Sequence, residues 1–130
     1  MKHYNVVAAV VCHDGKYLCM QKGKTKFEYT SYKWEFPGGK IEPGETPQQA
    51  LARELMEEME YPVEVGEEMV TVNHEYPDFS ITMTAFLCTP KGDANGFKRR
   101  EHADSKWCSK DELKGLNWAA ADIDVVEGIL

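Results

Sequence analysis

The period of apolar and polar positions changes several times along the chain, and each change marks an element. Asn5 to Cys12 (Asn-Val-Val-Ala-Ala-Val-Val-Cys) is β-branched and nearly unbroken, the pattern of a strand buried on both faces. His13-Asp14-Gly15-Lys16 carries an Asp-Gly turn signal, and Tyr17 to Met20 is a second short strand, so the two read as a hairpin. Periodicity is lost from Gln21 to Lys33. This is a surface loop whose Lys22, Lys24, Lys26 and Lys33 are either plain solvated charge or phosphate contacts. Lys33 to Pro37 is extended, because Pro37 biases Phe36 away from the helical region. Gly38-Gly39 then permits a tight turn and close backbone approach to a ligand.

A helix follows. Thr46 is a good N-cap, Pro47 suits the first helical position and Gln49 sits where a capping-box partner belongs. Leu51, Ala52, Leu55, Met56 and Met59 form one apolar arc at helical spacing, and Pro62 forces an end near Met59 or Glu60. On the opposite side stand Glu54, Glu57 and Glu58, which at about 100° per residue share one sector of the helix. Like charges so spaced repel by a few tenths of a kcal/mol per pair. A cation among them is the simplest remedy, and a divalent metal holding a phosphate is the first hypothesis.

Val63 to Val72 is strand material interrupted at Gly66-Glu67-Glu68. Thr71 to Tyr76 and Phe79 to Thr89 alternate as an antiparallel pair around Pro77-Asp78. In the second, Ile81, Met83, Ala85 and Leu87 share a face. Pro90 to Arg100 is a loop, and Ser105 to Cys108 a short strand. Ser109-Lys110-Asp111-Glu112 is a second capping box opening a brief helix at Asp111 to Lys114. Ala119 to Leu130 is a closing helix with Ile123, Val126 and Ile129 at helical spacing.

Composition narrows the function classes. At 130 residues with 42% apolar and 28% charged residues, the chain is expected to be one globular domain, residues 1–130, without internal repeat or linker. The net charge of −7 argues against a nucleic-acid duplex as partner. Cys12, Cys19, Cys88 and Cys108 lack a Cys-x-x-Cys pair and read as buried or idle thiols in a reducing compartment, the cytoplasm, not as a disulfide framework or zinc site. Val6 to Cys12 is too short for a signal core or a membrane span, so no membrane partner is expected.

The stretch from Gly38 to Tyr61 resembles the signature box of the Nudix hydrolases: Gly, five residues, Glu, seven residues, Arg-Glu, an aliphatic, any residue, Glu-Glu, any residue, Gly, an aliphatic. Gly39, Glu45, Arg53, Glu54, Leu55, Glu57 and Glu58 fall on it in register. Glu60 departs where the family has Gly, and Tyr61 where it has an aliphatic. A left-handed residue is wanted at such a helix exit, so Glu60 implies roughly 1 kcal/mol of strain or another exit geometry. The opening Val-Val-Ala-Ala-Val-Val, Trp34-Glu35-Phe36, Trp107-Cys108-Ser109 and Ala119-Ala120-Ala121-Asp122 look like the MutT and CTP-pyrophosphohydrolase branch.

That resemblance implies an α/β fold, the Nudix α/β/α sandwich with a mixed β-sheet. It implies hydrolysis of a nucleoside triphosphate to the monophosphate and pyrophosphate with Mg²⁺, or Mn²⁺ in its place, on (d)CTP-type or oxidised nucleotides such as 8-oxo-dGTP, a role in nucleotide-pool sanitation. Another nucleoside diphosphate derivative is the alternative substrate, and a non-catalytic nucleotide-binding module the alternative class. Glu57 and Glu58 are first-choice metal ligands, with the Gly38 carbonyl and a loop carboxylate, Glu101, completing the set. Glu54 either binds metal or accepts the proton of the attacking water. Arg53 orients a carboxylate such as Glu45 through a bidentate pair, with Gly39 supporting the turn. Asp122 aligns with the position that reads the base edge, against a reading as an acid favoured by the helix dipole. Phe36 and Tyr76 resemble the aromatics that flank the base, or are core. The assembly is a monomer or homodimer.

Overall fold

The unbroken apolar run at the start of the chain sets the architecture. The structure, a computed structural model, describes residues 1–130. Its strands are β1 (Lys2–His13), β2 (Lys16–Lys22), β3 (Trp34–Glu35), β4 (Gly38–Lys40), β5 (Val63–Glu75), β6 (Phe79–Pro90) and β7 (His102–Cys108). Its helices are α1 (Pro47–Met59), α2 (Lys110–Leu113) and α3 (Ala120–Ile129). β1 is central: it runs parallel to β6 from Lys2↔Phe79 to Val11↔Cys88 and antiparallel to β4 at Val6↔Lys40. β5 extends this sheet antiparallel to β6. Beyond Cys12 the chain turns through Asp14 and Gly15, both at positive φ, into β2, which pairs with β3 and β7.

Because a strand's side chains alternate, β1 supplies both layers at once. Val7, Ala9 and Val11 pack with Ala50, Leu51, Leu55 and Met59 of α1. Ala8 and Val10 pack in the other layer with Ala121, Val125, Val126 and Ile129 of α3. The result is a mixed sheet between helices, the α/β/α sandwich expected.

Both capping boxes form: Thr46 Oγ1 accepts the Gln49 N–H at 3.1 Å and Gln49 Oε1 accepts the Thr46 N–H at 3.0 Å, with the same reciprocity between Ser109 and Glu112. Four details differ from expectation. The buried face of α1 includes Ala50, whereas Met56 is 48% exposed. In α3 Ile123 is 44% exposed, and Val125 joins Val126 and Ile129 in the buried stripe in its place. β5 is continuous through Gly66-Glu67-Glu68, with register shifts between Val65 and Val70 that absorb the extra residues as bulges. β7 begins at His102, which brings Glu101 to the strand's edge.

The burial difference on α1 has a direct consequence. Leu55→Ala should lower unfolding free energy by about 2–5 kcal/mol, and Met56→Ala by less than about 0.5 kcal/mol. Urea denaturation read by circular dichroism checks this; equal losses would contradict the packing.

Candidate active site

The loop before α1 is held by contacts that only glycine permits. β4 lies against β1 with Val7↔Gly39 and Ala8↔Gly38 paired. A Cβ on Gly38 would overlap the Val7 carbonyl, and one on Gly39 would overlap the Glu54 carboxylate. Arg53 then ties loop to helix. Its Nε and Nη2 donate to Glu45 at 2.6 and 2.9 Å, a bidentate pair, and Nη2 also donates to the Lys40 carbonyl at 3.0 Å. Nη1 donates to Glu54 at 3.0 Å and to Glu57 at 3.1 Å. The guanidinium holds the Glu45 carboxyl below its usual range, and Glu45 also accepts the Glu42 N–H at 2.9 Å, which closes the turn.

The carboxylates are distributed unequally. Glu54 is mostly buried against Gly39. Glu58 is half-buried beside it and lines the main cleft with Gly38, Gly39 and Glu101. Burial, then the charges of Glu54 and Glu101, push the Glu58 carboxyl up to about 8. Glu57 points elsewhere: its side chain is 61% exposed, bonds Arg53 and does not line the cleft. Glu54 and Glu101 thus each lie near Glu58, while Glu57 shares Arg53 Nη1 with Glu54 and stays outside the cleft. No three acidic, histidine or cysteine side chains are drawn into a ready-made cage. Mg²⁺ does not require one, since it keeps several waters and takes one or two carboxylates plus substrate phosphates. A half-buried carboxyl crowded by two others is a donor set suited to a hard divalent cation, so these residues fit such an ion.

The residues expected at the base converge at the start of α3. Asp122 is 5% exposed, and its Oδ1 accepts the Phe36 N–H at 3.0 Å. Burial, then the charge of Glu35, push its carboxyl up to about 8, so at neutral pH it holds a proton and can donate as well as accept. Phe36 stacks on Trp118 with centroids 4.8 Å apart. The Tyr76 hydroxyl accepts the Ala121 N–H at 3.1 Å, satisfying one of the N-terminal amides of α3, whose N-cap Ala119 has no side-chain acceptor. All three line the same cleft of about 1150 Å³ as Glu58.

A second set of polar residues joins the two groups, and no spacing in the sequence marks their meeting. Glu35 bonds His102 Nε2 at 3.0 Å and lies 3.5 Å from Lys22 Nζ. Burial alone would lower the Lys22 ammonium, but Glu35 and Asp122 outweigh it and hold it above its usual value. Glu35 acts on Glu58 and on Asp122 alike. The available signal was polar residues inside strand segments: Lys22 ending β2, Glu35 between Trp34 and Phe36, His102 opening β7. Lys2, Lys24, Lys26 and Lys40 also line the cleft, so an acidic protein offers cations there.

The end of the box is the remaining departure. Glu60 adopts the left-handed region, φ 47 and ψ 43, at a cost of roughly 1–2 kcal/mol for a side-chain-bearing residue. Tyr61 is fully buried and donates its hydroxyl to the Ala94 carbonyl at 2.8 Å.

A glycine-held loop entering an acid-faced helix, beneath a cleft with an aromatic and carboxyl pocket, defines a class. The family described as NUDIX domain matches residues 1–127. A CTP pyrophosphohydrolase of Escherichia coli (strain K12) is 36% identical over 131 residues, covering 100% of this chain and 93% of that protein. An 8-oxo-dGTP diphosphatase of Proteus vulgaris is 40% identical over 88 residues, 68% of this chain and 78% of its own. The solution structure of the E. coli ORF135 protein superposes with a TM-score of 0.82 at 35% identity, covering 99% of this chain and 89% of that one. The chain belongs to the Nudix family of hydrolases. Divalent metal ions are the general cofactor of that family.

The buried carboxyl of Asp122 makes a testable contribution to pH dependence. Its folded pKa of about 8 lies above the ordinary 3.8, so its contribution to stability is full below the unfolded value and is lost as pH rises towards about 8. Asp122→Asn should therefore gain in melting temperature relative to wild type between pH 6 and pH 9. A difference that does not vary with pH would show that Asp122 is ionised throughout.

Proposed function

We propose that this chain hydrolyses nucleoside triphosphates to the monophosphate and pyrophosphate, with Mg²⁺, or Mn²⁺ in its place, and with (d)CTP-type or oxidised nucleotides such as 8-oxo-dGTP as substrates. The observation that carries the reading is one cleft that holds two acids, Glu58 and Glu101, with Glu54 behind Glu58, and a protonated base-edge reader, Asp122, beside Phe36 and Tyr76. The names of the relatives support the same substrate class.

Glu58 and Glu101, with the Gly38 carbonyl, would hold the ion, and Glu57 would join them by turning from Arg53 towards the cleft; a bound ion would neutralise phosphate charge and lower the pKa of water. Glu54, fixed by Arg53 and pressed against Gly39, either joins them or accepts the proton of the attacking water at its free oxygen. Lys22 and Lys40 present ammonium groups to the phosphates. Asp122 discriminates the base: its proton donates to a ring carbonyl or nitrogen acceptor, and its other oxygen accepts from an exocyclic amino group. Its site suits cytosine and 8-oxoguanine through different edges. We place the enzyme in the cytoplasm, where its four cysteines, all free, stay reduced and where it removes damaged nucleotides from the pool. No helix is long and apolar enough to cross a membrane.

Pyrophosphate release from a panel of ordinary, cytidine and oxidised triphosphates with Mg²⁺ tests the reading. Release is expected from cytidine or 8-oxo-guanine substrates. Glu58→Gln and Glu57→Gln should each lower kcat by about 10²-fold or more, and Asp122→Ala should reorder the nucleotides. No release from any triphosphate would overturn the function, and an unchanged order would remove Asp122 from base reading.

A further inference from the structure

The chain departs from the family at the last two positions of the box, and both departures bind the same loop. Residues 91–101 connect β6 to β7 across the C-terminal end of α1. The Glu60 carboxylate pairs with Lys98 Nζ at 3.0 Å and with the Arg100 guanidinium. Arg100 Nη1 also donates to the Glu57 carbonyl at 3.1 Å, one of the carbonyls left over at the end of α1. The Lys98 N–H donates to the Met59 carbonyl at 2.8 Å. Tyr61 reaches the other side of the loop, bonding the Ala94 carbonyl and meeting Phe97 edge-to-face with centroids 5.5 Å apart. Glu101 follows Arg100 directly, and its charge bears on Glu58.

We propose that Glu60 and Arg100 are positioning residues that clamp the 91–101 loop to the end of α1 and so hold Glu101 beside Glu58. The inference rests on the reading of Glu101 as a metal-holding carboxylate. A glycine at position 60 would meet the left-handed exit without strain, yet it could not bind the loop. Exposed ion pairs add little to stability, so the clamp is a poor compensation for that strain if stability is its purpose. Its effect is geometric: it fixes the only acidic residue that the loop brings to the cleft. Tyr61 anchors the loop's middle, and the Glu60–Arg100 pair sets its last residue before Glu101.

Mn²⁺ binding to the full chain, followed by electron paramagnetic resonance without nucleotide, reads this independently of turnover. Glu101→Gln should weaken Mn²⁺ binding if Glu101 holds metal. Glu60→Gly relieves the strained exit, so its thermal midpoint should equal or exceed that of wild type, while its Kd for Mn²⁺ rises by about three- to tenfold. Arg100→Gln should act in the same direction. The double variant Glu60→Gly with Glu101→Gln should bind Mn²⁺ no more weakly than Glu101→Gln alone, because both act through one carboxylate. Wild-type Mn²⁺ affinity in Glu60→Gly and Arg100→Gln, or additive losses in the double variant, would overturn the clamp while leaving Glu101 as a ligand. Wild-type affinity in Glu101→Gln would instead remove that reading, and the clamp's role with it.

Discussion

Carboxylates crowded in a half-buried place repel one another, and much of the structure around α1 serves to hold them there. Three devices do it. Arg53 pairs bidentately with Glu45 and reaches Glu54, Glu57 and the Lys40 carbonyl from one planar group, a geometry that an ammonium could not supply. Gly39 leaves room for the Glu54 carboxylate where any side chain would displace it. The capping box at Thr46 fixes where the helix begins, and hence the rotational position of each acid. Repulsion is not removed by these contacts, since burial and neighbouring charge still hold the Glu58 carboxyl well above its ordinary range. It is kept in place for a cation to relieve.

In the function proposed, the same cleft separates reaction from recognition. The acids belong to α1 and the 91–101 loop, whereas Asp122, Tyr76 and Phe36 come from α3, the end of β5 and the β3–β4 connection. Glu35 couples the two, because its charge bears on Glu58 and Asp122 while its oxygens hold His102 and Lys22. On that proposal, a substrate that spans both groups would satisfy two raised carboxyls at once, its phosphates by way of a cation and its base by direct hydrogen bonding. Specificity for the base could then change without altering the chemistry at phosphorus.

The signals legible in the sequence were the local ones. The acids of α1 could be read because their spacing along a helix is their spacing in space, and both capping boxes because they are contacts three residues apart. The double burial of β1 followed from its unbroken apolar run. Periodicity gave the apolar arc of α1 and the stripe of α3 but not their edges: Met56 and Ile123 fit the period and are exposed, while Ala50 and Val125 take the buried places. Ala50 carries little hydrophobic signal, and packing alone decides which of Ile123 and Val125 faces the core. The Lys22–Glu35–His102 set was illegible for a different reason. Its members lie on three strands paired through β2, so no sequence spacing records their meeting. Side-chain direction was equally hidden, as Glu57 turned towards Arg53 shows.

The central claim is that the α1 acids are held against their own repulsion for a divalent cation. It is tested most directly by melting temperature against Mg²⁺ concentration, at pH 7 and constant ionic strength, for wild type and Glu58→Gln. Without metal the variant should melt higher, because it lacks the crowded carboxyl. With Mg²⁺ the wild type should rise while the variant barely moves, so that the order of the two reverses. Parallel responses, or a wild type that melts higher in the absence of metal, would contradict the account.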